Sequence, residues 1–211
     1  MILNHHIYID IHSHSFLKVE ERVFRLINFI ANKDQDVPAG FFSAGIHPWY
    51  ISGTETMDVK QILSPLVQEN RCLAVGECGL DKLRGGSPEL QKTIFLEHVQ
   101  LSEAVEKPLI IHAVKSSGEI LQLHSIIKPY MFWIIHGFNN NGHIAMQYLK
   151  RGFYLSLGPL FFKRTDAAET CRIIPDDKFF LETDDSKTDI ESLYQQASVC
   201  MGMSMDALVK I

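Results

Sequence analysis

The stretch "PLIIHAVKSSGEILQLHSIIKPYMFWIIHG", residues 108–137, contains one complete unit of the fold. Its two ends, 108–113 and 132–137, are short apolar runs rich in isoleucine and aromatic residues, and each closes on a histidine, His112 and His136. Between them, 117–128 carries apolar residues at helical spacing. A strand apolar on both faces, a helix, and a second such strand describe a parallel sheet covered by helices.

The same alternation extends in both directions. Further strands are predicted at 7–11, 23–29, 40–46 and 72–77 on the N-terminal side, and at 153–158 and 178–184 on the C-terminal side. Helices are predicted over 58–70, 87–107, 140–152 and 167–174. Ser87-Pro88 forms a start signal for one of them, and Gly152 behind Lys150 and Arg151 a stop signal for another. Eight strands alternating with helices predict an α/β fold of the TIM type, a (β/α)8 barrel occupying 1–211 as a single domain. The barrel is expected to be shortened. Too few residues separate the first two strands for a full helix, and the C-terminal helix is reduced or absent where the chain ends in "SMDALVKI".

Composition sets the broad class. The 211 residues are 46% hydrophobic and 21% charged, which is ordinary for a globular chain, and the net charge of −5 argues against coating nucleic acid through bulk positive charge. The four cysteines form no CxxC pair and read as reduced thiols. The N-terminal "MILNHHIYIDIH" lacks the features of a signal peptide, and no apolar run is long enough to cross a bilayer. A cytoplasmic, membrane-independent monomer is expected.

In such barrels the chemistry gathers at the C-terminal ends of the strands. Here those ends carry His12 and His14, His47, Glu77, His112, His136, and finally Glu182 and Asp184. Residues i and i+2 of a strand share a face, so His12 and His14 can address one ion. Imidazoles and carboxylates without cysteine suit a catalytic Zn, Mn or Fe centre. A carboxylate can bridge two ions through its two oxygens, which makes Glu77 or Asp184 the candidate bridge. Any one of these residues alone has a structural explanation, such as a helix cap or a packed histidine. Their recurrence at successive strand ends favours metal.

The motifs "DIHSH", "GIHPW", "GECGLD", "IIHA", "IIHGF" and "LETD", in this order from Asp10 to Asp184, resemble the TatD family of metal-dependent deoxyribonucleases among the amidohydrolase-like barrels. The resemblance implies two divalent ions (Zn²⁺, Mg²⁺ or Mn²⁺). His12 and His14 would bind the first, Glu77 would bridge, His112 and His136 would serve the second, and Asp184 would bind metal and act as general base. It also implies a 3′→5′ exonuclease acting on DNA or another phosphodiester. The chain departs from the family pattern in having Val114 where many members carry an arginine, and Asp185 directly after Asp184.

Around this set, His47, Lys82, Arg84 and Lys115 are candidate substrate-binding residues, with Lys163 and Arg164 as a second pair of cations. Asp81 is placed behind a ligand, and Trp49 either stacks on a base or anchors its loop. Asp10 sets the end of its strand or hydrogen-bonds a ligand. His5, His6, His98, His124 and His143 read as surface or packing residues. Two rivals remain open. One is a hydrolase of small esters, lactones or amides on the same barrel, a class that commonly uses a carboxylated lysine where Glu77 stands. The other is a binding protein that has lost catalysis.

Overall fold

The computed structural model describes residues 7–15, 20–52 and 57–211; His5 and His6 lie outside them. Eight strands, β1 (Tyr8–Ser13), β2 (Val23–Ile30), β3 (Phe42–Gly45), β4 (Cys72–Asp81), β5 (Leu109–Val114), β6 (Trp133–Ile135), β7 (Tyr154–Leu157) and β8 (Phe179–Leu181), pair in sequence order, every pair parallel. The sheet is a nearly closed barrel whose seam joins the end of β1 to the residues just past β8. Ser13 bridges to Asp184, the Asp184 N–H donates to the His12 carbonyl at 2.9 Å, and the His14 N–H donates to the Asp184 carbonyl at 3.1 Å. The contact that closes the barrel is thus built from three of the residues expected at its chemical centre.

The helices are α1 (Val59–Val67), α2 (Pro88–Val105), α3 (Ser117–Ile127), α4 (Gly142–Leu149), α5 (Pro159–Phe162), α6 (Ala167–Cys171), α7 (Ile190–Met201) and α8 (Met205–Leu208). Their starts follow local chemistry. The side chains of Ser87, Asn141 and Asp189 accept the N–H groups of Leu90, Ile144 and Ser192, and Pro88 supplies a preset first turn. Gly152, at φ +85°, closes the turn that follows α4. Among the described residues no helix joins β1 to β2, as the spacing predicts. The β2–β3 connection also lacks one, in a stretch over which no helix is predicted. Its residues 31–41 include Pro38 and Gly40, and they turn at once because the Lys33 and Asp34 N–H groups both donate to the Ile30 carbonyl.

The core has two layers. A large cluster, including Phe42, Leu63, Phe95, Trp133, Tyr148 and Leu193, joins the strands to the helices. A small cluster of Ile11, Leu26, Ala74, Ile110 and Ile134 forms a separate apolar plug. Strand alternation puts Leu26, Ile110 and Ile134 on the faces that carry Asn28, His112 and His136, so the polar centre rests on this plug. Among the described residues no helix is long and apolar enough to cross a membrane.

Candidate metal centre

Glu77 is the hub. It lies within β4, buried to 2% exposure, at a point where β3 approaches so closely that a Cβ on Gly45 would stand 2.5 Å from the Glu77 carbonyl oxygen. Only glycine fits there, which explains the glycine of "GIHPW". On one side of the Glu77 carboxylate, Oε2 lies 3.4 Å from His12 Nε2. On the other, Oε1 lies 2.8 Å from His112 Nδ1, 3.1 Å from His47 Nε2 and 3.4 Å from His136 Nε2. Asp184 Oδ1 adds contacts of 3.3 Å to His14 Nε2 and 3.8 Å to His12 Nε2. Histidines from β1, β5 and the loops after β3 and β6 therefore converge on one carboxylate, with a second at the rim.

Three donor sets are close enough to share an ion. His12, His14 and Glu77 form one, His12, His136 and Asp184 another, and His47, Glu77 and His112 the third, with the atoms of each set within 4.8 Å of one another. All donors are imidazole nitrogens or carboxylate oxygens, the chemistry that suits Zn, Mn or Fe. The residues fit the group that the motifs imply.

The electrostatics follow from this packing. Burial alone would raise the Glu77 pKa, but the charge on His136 and hydrogen bonds from His112, His12 and His47 hold the carboxyl well below its usual range. Burial likewise opposes ionisation of Asp184, yet His14, His136 and His12 bring its pKa down to about 2. For His136, burial would lower the pKa, and the nearby Glu182 and Glu77 carboxylates overcome it and raise the value to about 10. The same balance, with Asp184 and Glu77 as partners, raises His14. His47 goes the other way, lowered by burial.

Several side chains outside the ligand set that the motifs imply hold the centre. His47 caps a 3-10 turn over Pro48–Tyr50, and its Nδ1 accepts the Trp49 N–H at 3.1 Å. That leaves Nε2 as the protonated nitrogen, which donates to Glu77 Oε1. Asp81, at the end of β4, faces His112 Nε2 at 3.1 Å and accepts the Trp49 indole N–H at 2.5 Å, so it stands behind His112 as expected. Asn28 of β2, which the sequence reading passed over, donates from Nδ2 to Glu77 Oε2 at 2.8 Å and accepts the Glu77 N–H at 3.2 Å. An amide inside the apolar run "VFRLINFI" is the signal that marks it. Glu182, fully buried, accepts the Gly137 N–H at 2.7 Å and lies 2.9 Å from His136 Nδ1, out of line for a hydrogen bond but close enough for an ion pair.

The cations proposed to grip substrate are placed differently from one another. Lys82 pairs with Glu119 and lines a hollow between β4, α2 and α3, away from the histidines. Arg84 lies 3.9 Å over the Trp49 ring at the mouth. Lys115 is exposed, with φ 53°, beyond β5. Arg164 is engaged by Asp166 through two hydrogen bonds, whereas Lys163 lines a groove beside the centre. His98 is fully buried, and His124 packs against Trp133 and Phe153, consistent with packing roles.

Residues 13–196 match the profile of the family described as TatD related DNase. An uncharacterized metal-dependent hydrolase of Buchnera aphidicola subsp. Baizongia pistaciae is 33% identical over 146 residues, 67% of this chain and 54% of that protein. A 3′-5′ ssDNA/RNA exonuclease TatD of Cronobacter turicensis is 31% identical over 155 residues, 69% of this chain and 57% of its own length. The chain thus spans about half the length of the curated relatives it matches. The crystal structure of YjjV, a TatD homologue from Escherichia coli, superposes with a TM-score of 0.75 at 16% identity, covering 96% of this chain and 93% of that one, a likeness of fold.

Proposed function

The chain belongs to the TatD-related DNase family of metal-dependent hydrolases, and from this premise we propose that it cleaves phosphodiester bonds in DNA from the 3′ end, using two divalent ions. The observation that carries the reading is the convergence of His12, His47, His112 and His136 on the single buried carboxylate of Glu77. His12, His14, Glu77 and Asp184 would hold the first ion, and His112 and His136 the second. Bound there, divalent cations lower the pKa of water and offset the charge that develops on phosphoryl oxygens.

The chain's own groups supply the rest. Asp184, ionised and with its side chain 37% exposed at the rim, is the base that takes the proton of the attacking water. Asn28 and His47 hold Glu77 from either side, and Asp81 and Glu182 orient His112 and His136. We further read the protein as a cytoplasmic monomer, a setting that suits its four free thiols.

The test uses protein loaded with Mn²⁺ or Zn²⁺, end-labelled single-stranded DNA, a panel of esters and lactones, and His136→Ala alongside. Shortening of DNA from its 3′ end, stopped by EDTA and reduced at least ~100-fold by the substitution, is the expected result. DNA turnover that survives both, or ester turnover with intact DNA, would overturn the proposal.

A further inference from the structure

Gln91, in the first turn of α2, is buried to 2% exposure, and its amide is engaged entirely with the chain that joins β4 to α2. Its Oε1 accepts the Asp81 N–H at 2.7 Å. Its Nε2 donates to the carbonyls of Asp81, Arg84 and Gly86, at 3.0, 3.0 and 2.8 Å. Because the Asp81 N–H can only donate, the oxygen end of the amide is fixed. The NH2 end must then serve three carbonyls with two hydrogens, one of them shared. A single side chain from the helix layer thus grips both ends of residues 81–86.

The segment it grips is the one that aims Asp81. Oδ1 of Asp81 accepts the N–H groups of Leu83 at 2.7 Å and Arg84 at 3.1 Å, while Oδ2 faces His112 Nε2 at 3.1 Å and the Trp49 indole N–H at 2.5 Å. One carboxylate oxygen is tied to the loop and the other to the centre, so a shift of the loop turns the carboxylate. Residues 82–86 have no helix or strand of their own to hold them. They also rest on the turn at Pro48–Tyr50, where Gly85, at φ +88°, packs so closely that a Cβ would strike the Pro48 carbonyl. The Arg84 guanidinium, 3.9 Å over the Trp49 ring, belongs to the same unit.

We propose that Gln91 is a positioning residue for the metal centre, which through its grip on residues 81–86 aims Asp81 at His112 and so selects the His112 nitrogen presented to an ion. A carboxylate can only accept, so Asp81 keeps a hydrogen on Nε2. That makes Nδ1, 2.8 Å from Glu77 Oε1, the nitrogen that offers a lone pair. The assignment rests on the metal-centre reading above and deepens it, by placing a determinant of ion affinity on a helix outside the barrel. The path runs from Gln91 through Asp81 and His112 to Glu77.

A double-mutant cycle on the whole chain tests it, with Gln91→Met, Asp81→Ala and the two combined. Methionine is as long as glutamine and fills the same space while removing all four hydrogen bonds. In calorimetric titration with Mn²⁺, Gln91→Met is expected to bind about 10-fold more weakly than the wild type. Once Asp81 is alanine, the same substitution should change affinity by less than about 2-fold. Equal losses in both backgrounds, or unchanged affinity in Gln91→Met, would overturn the proposal, because a merely structural glutamine adds its cost independently of Asp81. The second readout is tryptophan emission of the metal-free chain. Gln91→Met should shift the Trp49 emission as Asp81→Ala does, with Trp133, packed against Phe95, His124 and Phe153, contributing equally to both. Emission that moves in Asp81→Ala alone would overturn the proposal. If Gln91→Met does not fold, Gln91→Glu, which keeps an acceptor for the Asp81 N–H and loses the NH2 group, carries the same cycle to the same outcomes. Failure of the wild type to bind Mn²⁺ would overturn the metal-centre reading, while the emission result still decides whether Gln91 aims Asp81.

Discussion

Asn28 holds Glu77 twice with one side chain, its Oδ1 accepting the Glu77 backbone N–H at 3.2 Å and its Nδ2 donating to the Glu77 carboxylate at 2.8 Å. Because the backbone N–H can only donate, it fixes which end of the amide is oxygen, and the donor end is thereby aimed at Oε2. The carboxylate is set before any ion arrives. Asn28→Ala is expected to weaken divalent-ion binding by roughly 10–100-fold and, by stranding a buried N–H, to cost about 1–3 kcal/mol of stability. Calorimetric titration with Mn²⁺ measures the first and urea unfolding the second. Unchanged ion affinity in a destabilised variant would reduce Asn28 to a packing role.

Ion binding is also expected to be a stability and proton event. With an ion at about 100 times its Kd, the chain should gain about 2.7 kcal/mol, reversed by EDTA and diminished in His112→Ala. The Glu182 and Glu77 carboxylates push the His136 pKa up to about 10, so at pH 7 this imidazole is expected to hold a proton that a ligand must give up. Asp184 and Glu77, held low, have none to give. Binding should therefore release protons and tighten as pH rises. Titration heats compared across buffers of different ionisation enthalpy count those protons, and buffer-independent heats would refute the account.

Strands such as β5 and β6 were legible because a parallel strand buried on both faces leaves an unbroken apolar run, as in "PLIIHA" and "FWIIHG". The histidines at their ends were legible for a related reason, since an imidazole closing such a run needs a partner. Asn28 was not, because its meaning depends on Glu77, 49 positions away, and a single amide within a strand names no partner. The cations were the least readable. Lys82 and Lys163 both follow strand ends in the sequence, yet one reaches Glu119 and the other lines the groove. Where a long side chain goes depends on loop conformation, which periodicity does not encode.

His98 connects acid stability to the centre. On α2 and fully buried, it accepts the Ile46 N–H at Nε2 (2.9 Å) and faces the Ile94 carbonyl from Nδ1 (2.7 Å), fixing the residue that precedes His47. Burial lowers its pKa to about 4. Since the folded value lies below the unfolded 6.5, the unfolded chain takes the proton first. The contribution is fully present above pH 6.5 and is lost as pH falls through about 4, amounting to about 3 kcal/mol. Urea unfolding at pH 7.5 and pH 4.5 should show this loss in the wild type and not in His98→Gln. An identical loss in both would assign the acid sensitivity to other groups.

Asp10 closes the barrel from below the site. Fully buried, it accepts the Thr183 N–H at 3.0 Å, the Thr183 hydroxyl at 2.7 Å and Arg25 Nε at 3.2 Å, tying β1 and β2 to the residue that lies between Glu182 and Asp184. Burial raises its pKa while Thr183 and Arg25 act against that rise. The sequence suggested that Asp10 sets the end of its strand; its reach to Thr183 also sets where Asp184 sits. Asp10→Ala leaves a buried N–H and the Arg25 guanidinium without this partner, and is expected to cost about 3–5 kcal/mol. Because the seam at Asp184 loosens with it, ion affinity should fall as well, whereas Asp10→Asn, which still offers an acceptor to Thr183, should retain more of both. Urea unfolding and Mn²⁺ titration of the two variants decide the matter. A destabilised Asp10→Ala that still binds ions like the wild type would show that Asp184 is positioned by its own contacts with His12 and His14 instead.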